Sequence, residues 1–156
     1  MVLSNGNYFT GEFQHSLDAK HRVTIPSKWR PEKQDGSKPP FLLIPMPEGF
    51  IGVFPEQKLI EFQEKVNQIS IADRQEQRAV RRIATLAEMV VCDAQGRLSL
   101  TEKLLKHAGV TSDCMLAGLF THFEIWNPEV YQQQYDKDDE PSEDDSFTQT
   151  LKQLGL

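Results

Sequence analysis

Short apolar runs bounded by glycine, proline and aspartate dominate the chain, and many of them alternate apolar with polar residues. This pattern is typical of β-strands joined by tight turns. Phe13 and Leu17 are the expected inward-facing residues of the first strand. The pattern predicts strands at residues 11–17, 23–25, 41–44, 50–54, 89–92, 98–100, 114–119 and 123–126.

Two segments in which apolar residues recur with a helical period lie between two groups of strands, and each is expected to form a helix. A second helix is expected to begin at Asp73, because Glu76 follows three residues later as in a capping box. Thr101 is the expected N-cap of a short helix that Gly109 ends, and a last helix is expected from Pro128 to about residue 135. The apolar stripes of the first two helices are Leu59, Phe62, Val66 and Ile69, and Val80, Ile83, Ala84 and Ala87.

One pattern of nine residues occurs twice. Residues 18–26 spell Asp-Ala-Lys-His-Arg-Val-Thr-Ile-Pro, and residues 93–101 spell Asp-Ala-Gln-Gly-Arg-Leu-Ser-Leu-Thr, an offset of 75 residues. Both copies place an aspartate, a turn position and an arginine ahead of an alternating strand. The sequence therefore predicts two copies of one small β-rich unit, each presenting an arginine from a tight turn.

The fourth position of the repeat is the apex of the expected turn. Aspartate favours such a turn because its side chain bonds to the backbone two residues further on. Gly96 occupies the fourth position of the second copy, which indicates a backbone with positive φ. His21 stands at that position in the first copy, and histidine adopts positive φ only at a modest cost.

The repeat also carries cations that make it a candidate binding site. Lys20 and Arg22 are two residues apart and point to the same side of an extended backbone. Arg97 is the counterpart of Arg22, whereas neutral Gln95 replaces Lys20. Arginine suits phosphate and guanine edges, and glutamine can bond adenine or phosphate. The alternative, which the pattern leaves open, is that each arginine pairs with the aspartate of its own turn.

The formal net charge of −6 is unevenly distributed along the chain. Residues 131–156 contain seven acids against Lys137 and Lys152, which leaves a net charge of only −1 for the first 130 residues. After Tyr135 the acidic run to Asp145 has no apolar periodicity and predicts a disordered tail, before a short amphipathic segment. A net-acidic chain can still present a locally basic surface.

No enzyme class is indicated, and no cofactor is expected. The sequence has no glycine-rich phosphate loop, no nucleophile with a neighbouring base and no clustered metal ligands. Cys92 and Cys114 lie in apolar runs and are expected to be reduced and buried. No apolar run reaches the ~18 residues of a membrane span, and residues 1–10 do not resemble a secretory signal, so a cytoplasmic protein is expected.

The paired motifs and their surroundings resemble the MraZ family of bacterial transcriptional regulators of the division and cell-wall gene cluster. The resemblance covers residues 9–135. His21 and Thr101 depart from the family pattern, which usually has glycine and often has proline at these positions. Outside the motifs, the resemblance rests on Gly11, Phe13 and Leu17, on Ala-Gly-Val at residues 108–110 and on Phe-Glu-Ile-Trp at residues 123–126.

The resemblance implies a mainly β, α+β fold in which two AbrB-like units interlock as a swapped-hairpin β-barrel, with helices between and after them. It also implies ring-like homo-oligomers in the nucleoid that bind double-stranded DNA at short promoter direct repeats, including the repeats of their own promoter. The DNA-binding positions that it implies are Lys20, Arg22 and Arg97, with Gln95 as a further candidate.

The motifs and the resemblance together divide the chain into five parts. These are a flexible N-terminus (1–10), a first AbrB-like unit (11–57), a helical connection (58–85), a second AbrB-like unit (86–129), and a C-terminal helix end with an acidic tail (130–156). An alternative function stays open, because antitoxin-like relatives use the same fold as a protein-interaction module. The acidic tail would suit a segment that holds a protein partner.

Overall fold

The protein has an α+β fold in the computed structural model, which describes residues 8–138 and 146–155. The strands are β1 (Glu12–Ser16), β2 (Arg22–Thr24), β3 (Phe41–Met46), β4 (Phe50–Phe54), β5 (Glu88–Val90), β6 (Arg97–Ser99), β7 (Asp113–Gly118) and β8 (Phe123–Trp126). The helices are α1 (Glu56–Asn67), α2 (Arg74–Leu86), α3 (Glu102–Ala108), α4 (Pro128–Asp138) and α5 (Ser146–Gln153). A 3-10 turn at Ser27–Trp29 follows β2.

The strands of the two sequence copies pair with each other. The larger sheet has the order β1-β7-β8-β4-β3-β5, and β2 and β6 form a separate two-stranded sheet. All these pairs are antiparallel. Strand β1 of the first copy pairs with β7 of the second, and β5 of the second pairs with β3 of the first. Exchanging the copies reproduces this scheme, so the chain has an internal pseudo-two-fold relation.

The larger sheet is open, which corrects the closed barrel implied by the resemblance. Its order ends at β1 and β5, and no pairing joins these two strands in the described residues. Strands β2 and β6 do not bridge the gap because they pair with each other, with Val23 opposite Leu98 at the centre. Each motif turn therefore reverses the chain without forming a simple hairpin between the strands on either side of it.

The predicted helix ends are confirmed by their caps. The side chain of Asp73 accepts a hydrogen bond from the Glu76 amide at 3.0 Å ahead of α2. The Thr101 hydroxyl accepts from the Leu104 amide at 3.3 Å, and Gly109 ends α3 with a φ of 66°. Such caps satisfy backbone groups that a helix end leaves unpaired.

Both ends of the described chain differ in part from the sequence expectation. Phe9 lies in the segment expected to be flexible, yet it is 2% exposed and its amide bonds to the Phe120 carbonyl at 3.1 Å. Helix α4 continues to Asp138, three residues beyond the expected end. A helix, α5, forms where the amphipathic segment was expected. The rest of the predicted disordered tail, residues 139–145, lies outside the described residues.

An aromatic cluster beneath the first motif anchors the core. Trp29 is fully buried, and its ring centre lies 5.9 Å from that of Phe9, 5.2 Å from Phe13 and 5.0 Å from Phe123. Its Nε1 donates to the Thr10 carbonyl at 3.2 Å. Because Trp29 ends the 3-10 turn that follows β2, this packing ties the first motif to the larger sheet.

Helices α1 and α2 lie on the outside of the sheet and have no buried residues. Phe62 of α1 packs on Phe54 of β4, with ring centres 5.2 Å apart. Large apolar side chains from residues 60–91 are nevertheless well exposed: Ile60, Val66, Ile71, Ile83, Met89 and Val91. Within the part of the chain that the structure describes, no helix has the length and apolar character needed to cross a membrane.

Candidate nucleic-acid interface

The first motif turn is closed by the side chain of Asp18. Its Oδ1 accepts from the amides of Lys20 and Arg22, both at 2.9 Å, and its Oδ2 accepts from Nε of Arg22 at 2.6 Å. The backbone adds a bond from the His21 amide to the Asp18 carbonyl at 3.0 Å. One carboxylate therefore fixes both the turn and the arginine that leaves it.

The second turn repeats these contacts. Asp93 Oδ1 accepts from the amides of Gln95 at 3.0 Å and Arg97 at 2.9 Å, and Oδ2 accepts from Nε of Arg97 at 2.7 Å. The Gly96 amide donates to the Asp93 carbonyl at 3.0 Å. One contact has no counterpart in the first turn, because Nη2 of Arg97 also donates to Oε1 of Gln95 at 2.9 Å.

The two turns lie side by side across the pseudo-two-fold relation. Nη1 of Arg22 lies 4.0 Å from Oδ2 of Asp93, and Nη1 of Arg97 lies 3.9 Å from Oδ2 of Asp18. The backbone joins the turns as well, since the Leu100 amide donates to the His21 carbonyl at 2.9 Å. Positions that are 75 residues apart in sequence thus form one surface.

Both motif carboxyls titrate below the ordinary range. The pKa of Asp18 is lowered chiefly by the backbone hydrogen bond from Arg22 and further by the Arg22 side chain, against an opposing effect of partial desolvation. The pKa of Asp93 is lowered in the same way by Arg97. Both groups are therefore ionised at neutral pH and balance much of the arginine charge.

In the structure each arginine pairs with the aspartate of its own turn, which is the alternative that the sequence left open. The side chains of Arg22 and Arg97 are 24% and 28% exposed, and the Nε of each donates to the aspartate of its own turn. Lys20 differs, because it is exposed and only its backbone amide bonds to Asp18. Gln95 is exposed as well, with its carbonyl oxygen directed to Arg97.

The apices of the two turns share a backbone conformation but have different neighbours. His21 has a φ of 59° and Gly96 a φ of 75°, as the sequence predicts for this position. A Cβ on Gly96 would collide with the guanidinium of Arg30, whose Nε donates to the Ile25 carbonyl at 2.8 Å. His21 instead is exposed and lines an open groove of about 480 Å³ beside α3. Only the second turn therefore requires glycine for its packing.

Sequence reasoning missed a lysine that reaches the second turn from the loop before β3. Nζ of Lys38 donates to the Asp93 carbonyl at 2.7 Å, although the two residues are 55 positions apart. Lys38 and Arg30 both lie close enough to Cys92 to oppose the effect of burial, which raises the pKa of that thiol. No local motif marks Lys38, and the only sequence signal was the replacement of Lys20 by a neutral residue in the second copy.

The described residues offer little for other chemistry. Residues 8–138 and 146–155 contain no group of three or more His, Cys, Asp or Glu side chains placed to hold a metal ion. Cys92 and Cys114 are buried free thiols, and burial raises the pKa of Cys114 to about 11. These thiols stay protonated at neutral pH and are poor nucleophiles.

Comparisons with known proteins identify the relatives of the chain. A family model described as "MraZ protein, putative antitoxin-like" matches residues 83–153. A protein of Pediococcus pentosaceus named transcriptional regulator MraZ is 34% identical over 152 residues, which is 95% of this chain and 99% of that protein. Proteins with the same name from Serratia proteamaculans and Clostridium acetobutylicum are each 31% identical, over 95% and 79% of this chain and 99% and 84% of their own lengths. Because the first of these matches spans nearly the whole of both proteins, the chain belongs to the MraZ family.

Proposed function

We propose that this chain is a sequence-specific DNA-binding regulator of transcription. Its targets would be short direct repeats in promoters upstream of the division and cell-wall gene cluster, including its own promoter. Relatives that align with this chain over nearly their whole length are named transcriptional regulators. This supports a regulator rather than an enzyme. A regulator of this kind acts in the cytoplasm, associated with the nucleoid.

The observation that carries the proposal is the pair of adjoining motif turns. Two short turns present Lys20, Arg22, Gln95 and Arg97 together, and hydrogen bonds that the carboxylates of Asp18 and Asp93 accept fix their shape before any partner binds. A surface that is ordered beforehand loses little conformational entropy on binding. Within a chain of net charge −6, such a surface can still attract a polyanion locally.

The four proposed DNA-binding residues have unequal roles. Lys20 is exposed and suits a phosphate contact, which adds affinity without sequence preference. Arg22 and Arg97 use Nε to hold their turns, so a base or phosphate would meet the outer nitrogens of Arg22 and, since Nη2 of Arg97 donates to Gln95, mainly Nη1 of Arg97. Gln95 is joined to Arg97 and would contact DNA as one unit with it.

Several copies acting together would compensate for the few cations of one subunit. The exposed apolar side chains on α1, α2 and β5 support a homo-oligomer, for which we propose a ring. A ring repeats the motif turns along a duplex, so that direct repeats can be engaged at once. Effective concentration then raises avidity by roughly 10²–10⁴ without any new type of contact.

The first test is selection of DNA fragments by the purified protein, followed by binding measurements on the selected duplex and a scrambled duplex. Lys20→Ala is expected to weaken binding to both duplexes alike and to lower the salt slope by about 0.9 for each subunit in contact. Arg22→Ala is expected to relax sequence preference at a cost of about 1–3 kcal/mol.

Lys103→Ala on α3 is a matched control, since Lys103 is also an exposed lysine but lies outside the motif turns. Circular dichroism of each variant separates lost contacts from lost folding, which matters for Arg22 because it holds its turn. The proposal would be refuted if the wild-type protein bound neither duplex at low salt. Equal, sequence-blind losses for Lys20→Ala and Arg22→Ala would refute base reading by Arg22.

A protein-interaction module is the second candidate function. The matching family model carries the description antitoxin-like, and the exposed apolar side chains of residues 60–91 favour a protein partner. In this case the apolar surface would bind a different protein instead of a second copy. A purified chain that is monomeric and does not bind DNA would favour this alternative.

A further inference from the structure

The two motif turns obtain their lysine charge from different parts of the chain. In the first turn the lysine is Lys20, within the motif itself. In the second turn Gln95 is neutral, but the ammonium group of Lys38 lies 2.7 Å from the Asp93 carbonyl oxygen. We propose that Lys38 is the phosphate-binding lysine of the second turn and replaces the cation that Gln95 does not provide.

The position of Lys38 is suitable for contact with a polyanion. Lys38 is exposed. Its ammonium group has three N–H donors, and one of them donates to the Asp93 carbonyl. That carbonyl belongs to the turn itself, since it also accepts from the Gly96 amide. The remaining donors therefore lie at the edge of the surface that the two turns form.

This contact breaks the pseudo-two-fold relation of the turns. On the other side, the residues just before the first turn meet the start of β7 from the second copy. The Ser112 carbonyl accepts from the Leu17 amide at 2.7 Å, and Oδ1 of Asp113 accepts from the Ser16 hydroxyl at 2.7 Å. That segment supplies no cation. Lys106 of α3 lines the groove beside His21, but the lysine within the first turn is the motif's own Lys20, whereas the lysine bonded to the second turn comes from the loop before β3.

The charge balance of the surface supports a role in binding. Asp18 and Asp93 offset Arg22 and Arg97 in close ion pairs. The net positive charge of the paired turns then comes from the two lysines together with Arg30. Removal of Lys38 should therefore weaken long-range attraction of phosphate as much as removal of Lys20 does.

The inference rests on the proposed DNA binding, and the salt dependence of that binding tests it. The probes are the selected duplex and a scrambled duplex of equal length. Lys38→Ala should lower the salt slope by the same amount as Lys20→Ala, about 0.9 for each engaged subunit, and equally for both duplexes. Comparing the two lysine variants makes the result independent of the number of subunits on the duplex.

A rescue variant separates charge from a merely structural role. Adding Gln95→Lys to Lys38→Ala moves the lysine to the position it has in the first motif, and it should restore the salt slope. Lys38→Arg should keep the slope. Lys33→Ala is the matched control, because Lys33 lies in the same loop but pairs with Glu56 at 3.3 Å, and this variant should change nothing.

The outcomes distinguish this inference from the proposed function. If the wild-type protein binds and Lys20→Ala lowers the slope but Lys38→Ala, with unchanged melting temperature, does not, the inference is wrong and the function stands. The inference is also wrong if the added lysine at position 95 fails to restore the slope in a folded double variant. If the wild-type protein binds no duplex, the proposed function fails and this inference fails with it.

Discussion

At the scale of single residues, the apex of the motif turn shows how one backbone conformation admits two side chains. Both apices have positive φ, which an aspartate three residues earlier favours. At Gly96 the neighbouring Arg30 fills the space where a Cβ would lie, whereas His21 faces a groove. The sequence predicted the shared conformation but not the difference, because Arg30 is distant in sequence from the second turn.

Gly96→Ala is expected to destabilise the protein by more than the cost of positive φ alone. That cost is about 1–2 kcal/mol for a residue with a Cβ. The substitution must also displace Arg30 and so disturb its hydrogen bond to the Ile25 carbonyl, which adds about 0.5–1.5 kcal/mol. The free energy of unfolding, measured by urea denaturation, checks this.

Gly36→Ala provides the control for this measurement. Gly36 has a φ of 81°, close to the 75° of Gly96, but a Cβ there would meet no atom within 4 Å. The difference between the two variants therefore isolates the contact with Arg30. Equal losses of stability in both variants would contradict the packing that we describe.

At the scale of elements, the capped helices were predictable and the strand partners were not. Thr101 and Gly109 define α3 through local hydrogen bonds, which a sequence pattern reveals. The pairing of β1 with β7 joins Phe13 to Leu116, and no local pattern indicates such a distant partner. The interlocked arrangement was expected from family resemblance alone, and the closed barrel that came with it was wrong.

The stability of the motif turn is expected to depend on pH. The folded pKa of Asp93 lies below the ordinary value of 3.8, so its ionised form is favoured by folding. This stabilisation is present above pH 3.8 and is lost as the pH falls through the lower, folded pKa. Asp93→Asn should therefore lower the melting temperature at neutral pH, and the difference from wild type should shrink below pH 3.8.

Thermal unfolding by circular dichroism from neutral to acidic pH measures this difference. Asp18→Asn should behave in the same way, because the first turn has the matching contacts and its carboxyl pKa is also lowered. A difference in melting temperature that stayed constant down to low pH would show that the carboxylate charge contributes nothing to the turn.

At the scale of the whole molecule, six of the eleven well-exposed large apolar side chains in the described residues come from one part of the chain. Of the large apolar side chains that are well exposed in the described residues, Ile60, Val66, Ile71, Ile83, Met89 and Val91 fall between positions 60 and 91. The helical period predicted apolar stripes that lie on α1 and α2 except for Ile69 and Ala87, which fall beyond the ends of these helices. It could not show that these stripes stay partly uncovered, because that depends on what packs above them.

Ile83→Asp is expected to shift the protein toward smaller assemblies. Ile83 is 51% exposed, so a charge there costs the folded subunit little but would be buried unpaired in a contact between copies. Sedimentation velocity should show the smaller species, and avidity for a duplex with several repeats should fall by 10-fold or more.

Thr85→Asp adds the same charge to an exposed position of the same helix and serves as the control, because the helical period places Thr85 beside Arg78, Arg81 and Arg82 and opposite Ile83. It is expected to leave the assembly unchanged. An Ile83→Asp variant that sediments as the wild type would place the contact between copies elsewhere.

Because the two turns differ, a subunit can distinguish the two orientations in which it could lie on a duplex. Two identical turns related by a true two-fold axis would occupy a duplex equally well in either orientation. Here the first turn contains Lys20 and has His21 at its apex. The second turn is contacted by Lys38 from another loop, and its apex, Gly96, packs against Arg30. On a duplex such a subunit would favour one polarity, and neighbouring subunits would repeat that polarity. Sites arranged head to tail would then be occupied more tightly than inverted sites of the same spacing.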